Sequence, residues 1–296
     1  MTTILSANAT VGIFALGGQL ADGSTTRNKY TFVGDVNVAT TASSAAQRSG
    51  ASASNSTVGI FQLGGASQSS GTVRNKYTFS GDVNSVATAS AAGQGHHTAA
   101  AGNSTFGIFG VGVFDREKYT YAGDVSAAAT SSAWYSRWNA AAGTSTIGIF
   151  TVGYNNFIGD GTVSTEKYTY AGDVNTAATN LLQICYYSSA AGNSTVGIFQ
   201  LGRTPTNPGT ARNKYTYSGD VVASATSQAS ASSAGSAAGN NTIGIFALGN
   251  PSNGDSTSQT REKYTYSGDT RTSATDSTVG GANGAACSNG NAGVNA

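Results

Sequence analysis

One sequence motif occurs six times in this chain of 296 residues, and this repetition constrains the fold more than any other feature. Each copy contains a Gly-Ile-Phe core, then a Lys-Tyr-Thr-aromatic run, and then a Gly-Asp pair. The lysines of these runs, 42 to 49 residues apart, are Lys29, Lys76, Lys118, Lys167, Lys214 and Lys263. Self-similarity with a period of about 20–50 residues indicates a propeller, a solenoid or a related repeat architecture. The six units are therefore interpreted as a single domain that spans residues 1-296.

The segments of each unit have the composition of short β-strands. In the second unit they cover residues 49–54, 58–63, 76–79 and 83–89, which we call segments a, b, c and d. β-Branched and aromatic residues bounded by Gly, Ser, Asn and Asp are typical of strands, and no segment has the apolar spacing of a helix. The six predicted units cover approximately residues 9-42, 48-89, 96-131, 137-180, 186-227 and 233-276.

Four short strands that are apolar on both faces fit the blade of a β-propeller, and a linear β-solenoid is the competing architecture. Residues 282–289 align without a gap with residues 48–55, so a further segment a follows the sixth unit. The prediction is an all-β, six-bladed β-propeller with four antiparallel strands per blade, in which residues 282-291 form the innermost strand of blade one. Residues 3–8 resemble a weaker segment a, but Ile4 and Leu5 replace the small residues expected of a crowded inner strand.

The units resemble the kelch repeat in their glycine-ended segment b, in the tyrosine of segment c and in their four strands. The pairs Gly17-Gly18 and Gly64-Gly65 match the double glycine of that repeat, whereas later units keep one glycine and segment d lacks the expected tryptophan. A closer resemblance is to kelch-like repeats of the AAGNSTxGIFALGG…KYTYSGD type, which occur in bacteriophage, notably cyanophage, and bacterial proteins. This resemblance implies a propeller and favours a virion component, but propellers host many unrelated functions.

Charge and cysteine content bear on the class of protein. Only 10% of the residues are charged and the net charge is +1, which gives no electrostatic basis for binding nucleic acid or an anionic membrane. No apolar run approaches the ~20 residues that span a bilayer, and the N-terminus lacks the pattern of a standard signal peptide. We expect Cys185 and Cys287 to be buried free thiols, with a disulfide bond as the alternative.

One cation and one anion recur in every unit. All six lysines lie in the Lys-Tyr-Thr runs, and each Gly-Asp pair places one aspartate in its unit. This regularity predicts a structural ladder of ion pairs, and the alternative is a ring of charge that lines a site. The pattern is compatible with pairs inside one blade and with pairs between neighbouring blades.

Loop variation is confined to one face of the predicted disc. Because strand direction alternates, the a–b and c–d turns share one face, the constant face, and the b–c and d–a connections share the other, the variable face. The turns are nearly identical in all six units, whereas the connections differ in length and composition. Since rigid scaffolds commonly present function on loops, the variable face is the candidate binding face, and unconstrained drift of the loops is the alternative.

The candidate binding residues lie in or near the d–a connections. Both tryptophans of the chain occur in the run from Trp134 to Trp138, where other units carry small residues. Aromatic rings beside arginine or histidine suit sugar stacking or a protein-docking hot spot, and packing between blades three and four is the alternative. The residues chosen as ligand or partner contacts are Trp134, Tyr135, Arg137, Trp138, Tyr186, Tyr187, His96 and Arg48.

No catalytic or metal-binding constellation is recognisable in the sequence. His96 and His97 are the only histidines and lack an acidic partner cluster, while Asp160, Glu166 and Asp255 are interpreted as scattered loop carboxylates. Neither a nucleophile motif nor a phosphate-binding glycine loop occurs. We therefore expect a non-enzymatic protein without a metal or another cofactor.

The leading hypothesis for function follows from the resemblance and from the variable face. It is a bacteriophage tail, fibre or decoration protein, in the virion or outside the cell, that binds other virion proteins or a cell-surface glycan or protein. The alternative is a bacterial, lectin-like propeller that binds several copies of one glycan. A multivalent lectin would repeat its aromatic site residues in every unit, and here they occur once, which favours a single docking site. A homo-oligomer is compatible with both hypotheses.

Overall fold

A computed structural model describes residues 8–18, 23–64, 71–93, 98–203, 207–251 and 256–290. These residues form six four-stranded antiparallel sheets, and they contain no helix. The sheets are the six blades of an all-β propeller, as the repetition predicts. A short additional hairpin, β14 (Tyr154–Asn155) with β15 (Asp160–Gly161), extends from blade 4.

Each blade has an innermost, a second, a third and an outermost strand. For blades 1 to 6 the innermost strands are β26 (Ala285–Ser288), β4 (Ala51–Ser54), β8 (Ala100–Gly102), β12 (Ala141–Gly143), β18 (Ser189–Gly192) and β22 (Ser236–Gly239). The second strands are β1 (Val11–Ala15), β5 (Val58–Gln62), β9 (Phe106–Gly110), β13 (Ile147–Thr151), β19 (Val196–Gln200) and β23 (Ile243–Ala247). The third strands are β2 (Arg27–Thr31), β6 (Arg74–Thr78), β10 (Arg116–Thr120), β16 (Thr165–Thr169), β20 (Arg212–Thr216) and β24 (Arg261–Thr265). The outermost strands are β3 (Val36–Thr40), β7 (Val83–Ala87), β11 (Val125–Ala129), β17 (Val174–Ala178), β21 (Val221–Ala225) and β25 (Thr270–Ala274).

The C-terminal strand β26 completes blade 1, which confirms the predicted closure. It pairs antiparallel with β1, and Gly12 lies opposite Ser288 in the register. Just beyond the strand, the side-chain oxygen of Asn289 accepts hydrogen bonds from the backbone N–H groups of Thr10 and Val11, at 2.8 and 2.9 Å. The innermost strands adjoin one another around the whole ring, and β26 contacts both β22 and β4. The competing segment at residues 3–7 lies outside the described residues.

Small side chains on the innermost strands let the blades approach closely. The glycine of each Gly-Ile-Phe core faces an alanine or a cysteine from the innermost strand of the preceding blade. A Cβ atom on Gly107 would lie 2.6 Å from the Cβ of Ala53, and one on Gly59 would lie 2.5 Å from the Sγ of Cys287. Such distances are too short for real side chains, so close packing requires glycine at this position. Both cysteines of the chain are buried and free.

The Gly-Asp turns join neighbouring blades. In every seam, a threonine at the end of an outermost strand donates its hydroxyl to the backbone oxygen of the aspartate of the next blade. These threonines are Thr41, Thr88, Thr130, Thr179, Thr226 and Thr275. Lys29 forms an ion pair with Asp82, and the Nζ of Lys76 lies 3.9 Å from Asp124. In these two pairs the lysine meets the aspartate of the next blade, so the pairs lie between blades.

A buried arginine spans five of the six seams. It begins the third strand of its blade, and its guanidinium carbon lies 4.4–4.9 Å from the centre of a phenylalanine ring in the next blade. The arginines are Arg27, Arg74, Arg116, Arg212 and Arg261. Stacking of a guanidinium on an aromatic face is favourable, and more so when both groups are removed from water. The sequence prediction placed the start of segment c at Lys76, two residues too late to include this arginine in the strand.

The seam between blades 4 and 5 is the exception. Thr165 occupies the arginine position in β16, so no guanidinium covers Phe199 and Tyr215. An apolar cluster that includes Leu181 and Cys185 packs there instead. This substitution explains why the d–a connection of blade 4 carries apolar residues where its counterparts carry small ones.

Candidate functional site

The two variable connections of each blade lie side by side on the variable face. In blade 3, the backbone N–H of Ser132 donates to the oxygen of Phe114 at 2.7 Å, and that of Ser136 donates to the oxygen of Val113 at 2.9 Å. The d–a connection, residues 130–140, is thereby held against the short b–c loop of the same blade. Such backbone bonds give these loops fixed positions from which side chains can project.

Five hydrophobic side chains form a patch on this face, which we call the aromatic patch. It consists of Phe114, Trp134, Tyr135, Phe157 and Ile158. Phe157 is 78% exposed, Ile158 63%, Trp134 47% and Phe114 36%. The ring of Tyr135 lies between those of Phe114 and Phe157, with centroids 5.7 and 5.5 Å away and edge-to-face geometry. Large apolar side chains are seldom clustered at this exposure on a monomeric protein unless something binds there.

The sequence of blade 4 forces two members of the patch outward. The side-chain oxygen of Asn155 accepts a hydrogen bond from the N–H of Phe157 at 2.9 Å, and its backbone oxygen accepts one from Gly159 at 3.0 Å. Gly159 has φ of 69°, a conformation that glycine adopts without strain. The resulting tight turn between β14 and β15 leaves Phe157 and Ile158 at its tip.

Glu166 anchors the segment that carries Trp134. Its carboxylate accepts hydrogen bonds from the hydroxyl of Ser132 and from the backbone N–H of Ala133, both at 2.7 Å. The same carboxylate forms an ion pair with Arg116 at 2.7 Å. Glu166 is buried within β16, so its interpretation as a loop carboxylate was wrong. The alternation of side chains in a strand turns it towards the seam rather than towards solvent.

A second group of aromatic residues lies at the mouth of the central channel, and we call it the mouth cluster. It comprises Trp138, Tyr154, Tyr186, Tyr187 and Arg203. The indole of Trp138 stacks on the ring of Tyr187 with a centroid distance of 4.5 Å, and Tyr154 lies 4.8 Å from the indole at a steeper angle. The guanidinium of Arg203 lies 5.8 and 5.9 Å from the rings of Tyr186 and Tyr187.

Backbone geometry fixes the mouth cluster. Five residues that precede innermost strands have φ between 51° and 68°, and they are Ser49, Trp138, Tyr187, Ala234 and Asn283. The N–H of Ala234 donates to the oxygen of Tyr187 at 2.8 Å, and the N–H of Asn283 donates to the oxygen of Ala234 at 2.7 Å. Successive blades are thus hydrogen-bonded around the axis. The cavity enclosed there is about 30 Å³, which is room for one or two water molecules only.

Five of the eight predicted contact residues fall into these two groups. Trp134 and Tyr135 belong to the aromatic patch, and Arg137 stacks on Tyr135 with its guanidinium carbon 5.1 Å from the ring centre. Trp138, Tyr186 and Tyr187 belong to the mouth cluster. Tyr186 and Arg48 are buried, so they support neighbouring residues rather than face solvent. Burial raises the pKa of Tyr187, and the charges of Arg203 and Arg48 oppose that rise. His96 lies outside the described residues.

Several residues of both groups were not chosen from the sequence. Phe114, Tyr154, Phe157, Ile158 and Arg203 belong to b–c loops, where the sequence pattern indicates variation but not which side chains project. The signal that could have identified two of them is an apolar pair, Phe157-Ile158, between asparagine and glycine in an otherwise polar loop. Only the contact between Phe157 and Tyr135 shows that this pair lies beside the d–a connection that carries the tryptophans.

A groove adjoins the aromatic patch on blade 3. It has a volume of about 320 Å³ and runs between the d–a connection of blade 2 and the outermost strand β11. Its lining includes Ala92, Val111, Asp115, Glu117 and Ala128. Asp115 follows Phe114 directly in the chain, so a large partner bound at the patch could reach the groove as well.

The described residues contain no group of three or more histidine, cysteine, aspartate or glutamate side chains that could hold a metal ion. Burial raises the pKa of both Cys185 and Cys287 to about 12, which keeps these thiols protonated and poorly nucleophilic near neutral pH. Within the same part of the chain, no helix is long and apolar enough to cross a membrane.

Comparison with known proteins supports the fold and is silent on activity. No protein family and no curated protein matches the sequence. Many solved structures share the architecture. The structure of YjhT is similar over 85% of this chain and 91% of that chain, with a TM-score of 0.58 and 10% sequence identity. At this identity the similarity shows the propeller fold alone, since one fold hosts many functions.

Proposed function

We propose that this chain is a non-enzymatic, structural or binding component of a bacteriophage virion that docks onto its partner through the aromatic patch. The carrying observation is that Trp134, Phe157 and Ile158 are all exposed, on two connections that the contact between Tyr135 and Phe157 brings together. A docking surface of this kind has aromatic anchors at its centre, because burying them in a partner removes a large apolar area from water. The kelch-like and phage-type repeats support the assignment to a tail, fibre or decoration protein.

The partner that best fits the patch is another protein, either of the virion or of the host surface. Aromatic residues and arginine are enriched at the centres of protein interfaces, and here Arg137 stacks on Tyr135 at the edge of the patch. Its members come from three connections of blades 3 and 4, which gives a partner protein several separate points of contact. Neither a cofactor nor nucleic acid is part of this proposal.

Purified virions made from the genome that encodes the chain provide the test. Quantitative mass spectrometry should detect the chain in a fixed ratio to the major tail proteins, and a Trp134→Ser/Phe157→Ser variant should be depleted from the particles. The melting temperature of the purified variant should match that of the unmodified protein, because both side chains are exposed. A chain absent from virions, or a variant incorporated as efficiently as the original, would reject the proposal.

The mouth cluster favours glycan binding as a second candidate function. Stacked aromatic rings beside an arginine provide both a platform for a sugar ring and donors for its hydroxyls. The small axial cavity restricts such a glycan to the outer surface of Tyr154, Tyr187 and Arg203. A glycan array should then give a defined set of ligands, whose binding is lost in Arg203→Met and retained in the patch variant. An array without reproducible ligands would dismiss this candidate and leave the docking proposal intact.

A further inference from the structure

The aromatic residue that follows each third strand packs in the same place in all six blades. In blades 1 to 6 it is Phe32, Phe79, Tyr121, Tyr170, Tyr217 and Tyr266. In every blade its ring lies 5.8–6.2 Å, between centroids, from the tyrosine two residues earlier. Phenylalanine and tyrosine therefore fill this space equally well, and the four hydroxyl groups are not needed for ring packing.

The last residue of the innermost strand varies together with this aromatic residue. Blades 1 and 2 combine phenylalanine with Ser288 and Ser54, whereas blades 3 to 6 combine tyrosine with glycine. The reason is steric in at least three blades. A Cβ atom on Gly102, Gly192 or Gly239 would lie 3.0, 2.8 or 2.5 Å from the hydroxyl oxygen of the tyrosine of its own blade, and 2.5–2.8 Å from a backbone oxygen of the second strand. The phenol thus occupies the space that the serine side chain takes in the other blades.

Every blade consequently supplies one hydroxyl at the inner end of its seam with the preceding blade. In blade 2, Ser54 donates this hydroxyl across the seam to the backbone oxygen of Ser288 at 2.6 Å. The hydroxyls of Tyr121, Tyr170, Tyr217 and Tyr266 are buried, and within the described residues they have no hydrogen-bond partner. A buried hydroxyl without a partner costs on the order of 1–3 kcal/mol, so native proteins rarely retain one.

The hydroxyls stay protonated and can act as donors. Burial raises the pKa of Tyr121 well above its usual value, and the nearby phenol of Tyr170 raises it further. Tyr217 is affected in the same way by burial and then by Tyr266 and Tyr170. Ionisation of one phenol would therefore raise the pKa of its neighbour, as expected for groups that lie close together.

We propose that one buried water molecule is bound at the inner end of each of the four tyrosine seams. The phenol donates to this water, and the water donates to the backbone oxygen of the last inner-strand residue of the preceding blade. For Tyr121 that acceptor is the oxygen of Ser54. In the seam between blades 1 and 2, the Ser54 hydroxyl makes this connection directly. In the four tyrosine seams, the phenol and its water make the equivalent connection between neighbouring blades.

A high-resolution crystal structure of the full chain tests the proposal directly. It should show an ordered water about 2.8 Å from the hydroxyl oxygen of each of the four tyrosines, which is the usual length of such a bond. Phenols that contact a protein carbonyl directly, or seams without water density, would overturn the proposal. Density for a small anion in place of water would overturn it as well.

A second test, in solution, replaces the tyrosine and glycine of blade 3 by the phenylalanine and serine found in blade 2, and the reverse. Tyr121→Phe should lower the melting temperature by about 2–4 °C, because the water loses its donor. Gly102→Ser alone should also lower it, because the new side chain meets the phenol. The double variant should melt above Gly102→Ser alone, since removal of the phenol relieves one of the two close contacts of the new side chain. Phe79→Tyr/Ser54→Gly is the matched exchange in blade 2 and should be tolerated. A Tyr121→Phe variant that melts at or above the original temperature would contradict the proposal.

Discussion

At the scale of single residues, the seams of this ring depend on how a buried arginine is neutralised. Arg74 pairs with Glu117 at 2.9 Å across its seam, and Arg212 pairs in the same way with Glu262 at 2.8 Å. Arg27 instead donates to two amide oxygens, that of Asn84 at 2.7 Å and that of Asn75 at 3.3 Å. Burial lowers the pKa of Arg27 to about 10, which reflects a cation removed from water without a carboxylate. A carboxylate placed beside Arg27 should therefore make this seam more stable.

Asn75→Glu is expected to stabilise the protein. The glutamate would stand where Glu117 and Glu262 stand in their seams, and it could replace the amide oxygen that accepts the N–H of Ser44 at 2.9 Å. Because the arginine is already buried, adding its counter-charge should raise the free energy of unfolding by about 1–2 kcal/mol. Chemical denaturation at neutral pH measures this change.

Asn213→Glu is the matched control for that substitution. Asn213 is the equivalent residue of blade 5, but the arginine position of the preceding blade holds Thr165. A buried carboxylate without a cation should cost about 3 kcal/mol or more of stability. Equal effects of the two substitutions, in either direction, would show that charge neutralisation by arginine is not the determinant.

Titration of Asp269, one of the turn aspartates, should make the protein sensitive to acid. Partial burial acts to raise the pKa of Asp269, but hydrogen bonds from Tyr264 and Thr226 and the charge of Lys214 outweigh it, and the pKa is lowered from 3.8. The unfolded chain therefore binds protons more readily than the native one. The stabilisation is present well above pH 3.8 and is lost as the pH falls through that value towards the native pKa.

Asp269→Asn should accordingly reduce the loss of melting temperature between about pH 6 and pH 3. The variant will melt lower than the original protein at neutral pH, because the charged acceptor is gone, and the two curves should converge in acid. Thermal denaturation over a pH series is the measurement. Parallel curves with a constant offset would show that this carboxylate does not contribute to acid sensitivity.

At the scale of elements, the sequence was sufficient to predict the strands and the closure. Alternating apolar residues between turn-forming residues recur six times, and the small residues of 285–288 match those of the other innermost strands. The arginine contacts were not predictable in the same way. Whether Arg74 begins a strand or ends a loop depends on Phe109 of the next blade, which covers it only after the ring has formed. The aspartate that each lysine meets could not be predicted either, because the pairs lie between blades.

Deletion of residues 281–296 should open the ring. It removes β26 from blade 1 and takes Cys287 from its place against Gly59, so a whole strand and two seam contacts are lost. We expect a loss of several kcal/mol in the free energy of unfolding, as for other losses of core contacts. A synthetic peptide of residues 282–290 should restore much of the loss. A truncated chain that melts like the full one would show that another segment closes blade 1.

At the scale of the whole molecule, the two faces of the ring have different roles. The recurring aspartates of the Gly-Asp turns bind threonines of neighbouring blades, which leaves these aspartates little freedom to bind anything else. The aromatic patch occurs once, on the variable face, and breaks the sixfold regularity there. Sequence comparison between units located the unusual tryptophans, but it could not separate exposed Trp134 from partly buried Trp138, because burial depends on the neighbouring loops.

Attachment of purified protein to virions that lack it tests the docking account most directly. The unmodified chain, a Trp134→Ser/Phe157→Ser variant and a Val125→Ser control should be compared, since Val125 is 53% exposed on β11 at the constant-face end. The account predicts saturable binding that the patch variant weakens by about 2 kcal/mol or more, the scale of a hot spot, while the control binds like the unmodified chain. A patch variant that binds like the unmodified chain, or a control that loses binding as much as the patch variant does, would contradict docking through the aromatic patch.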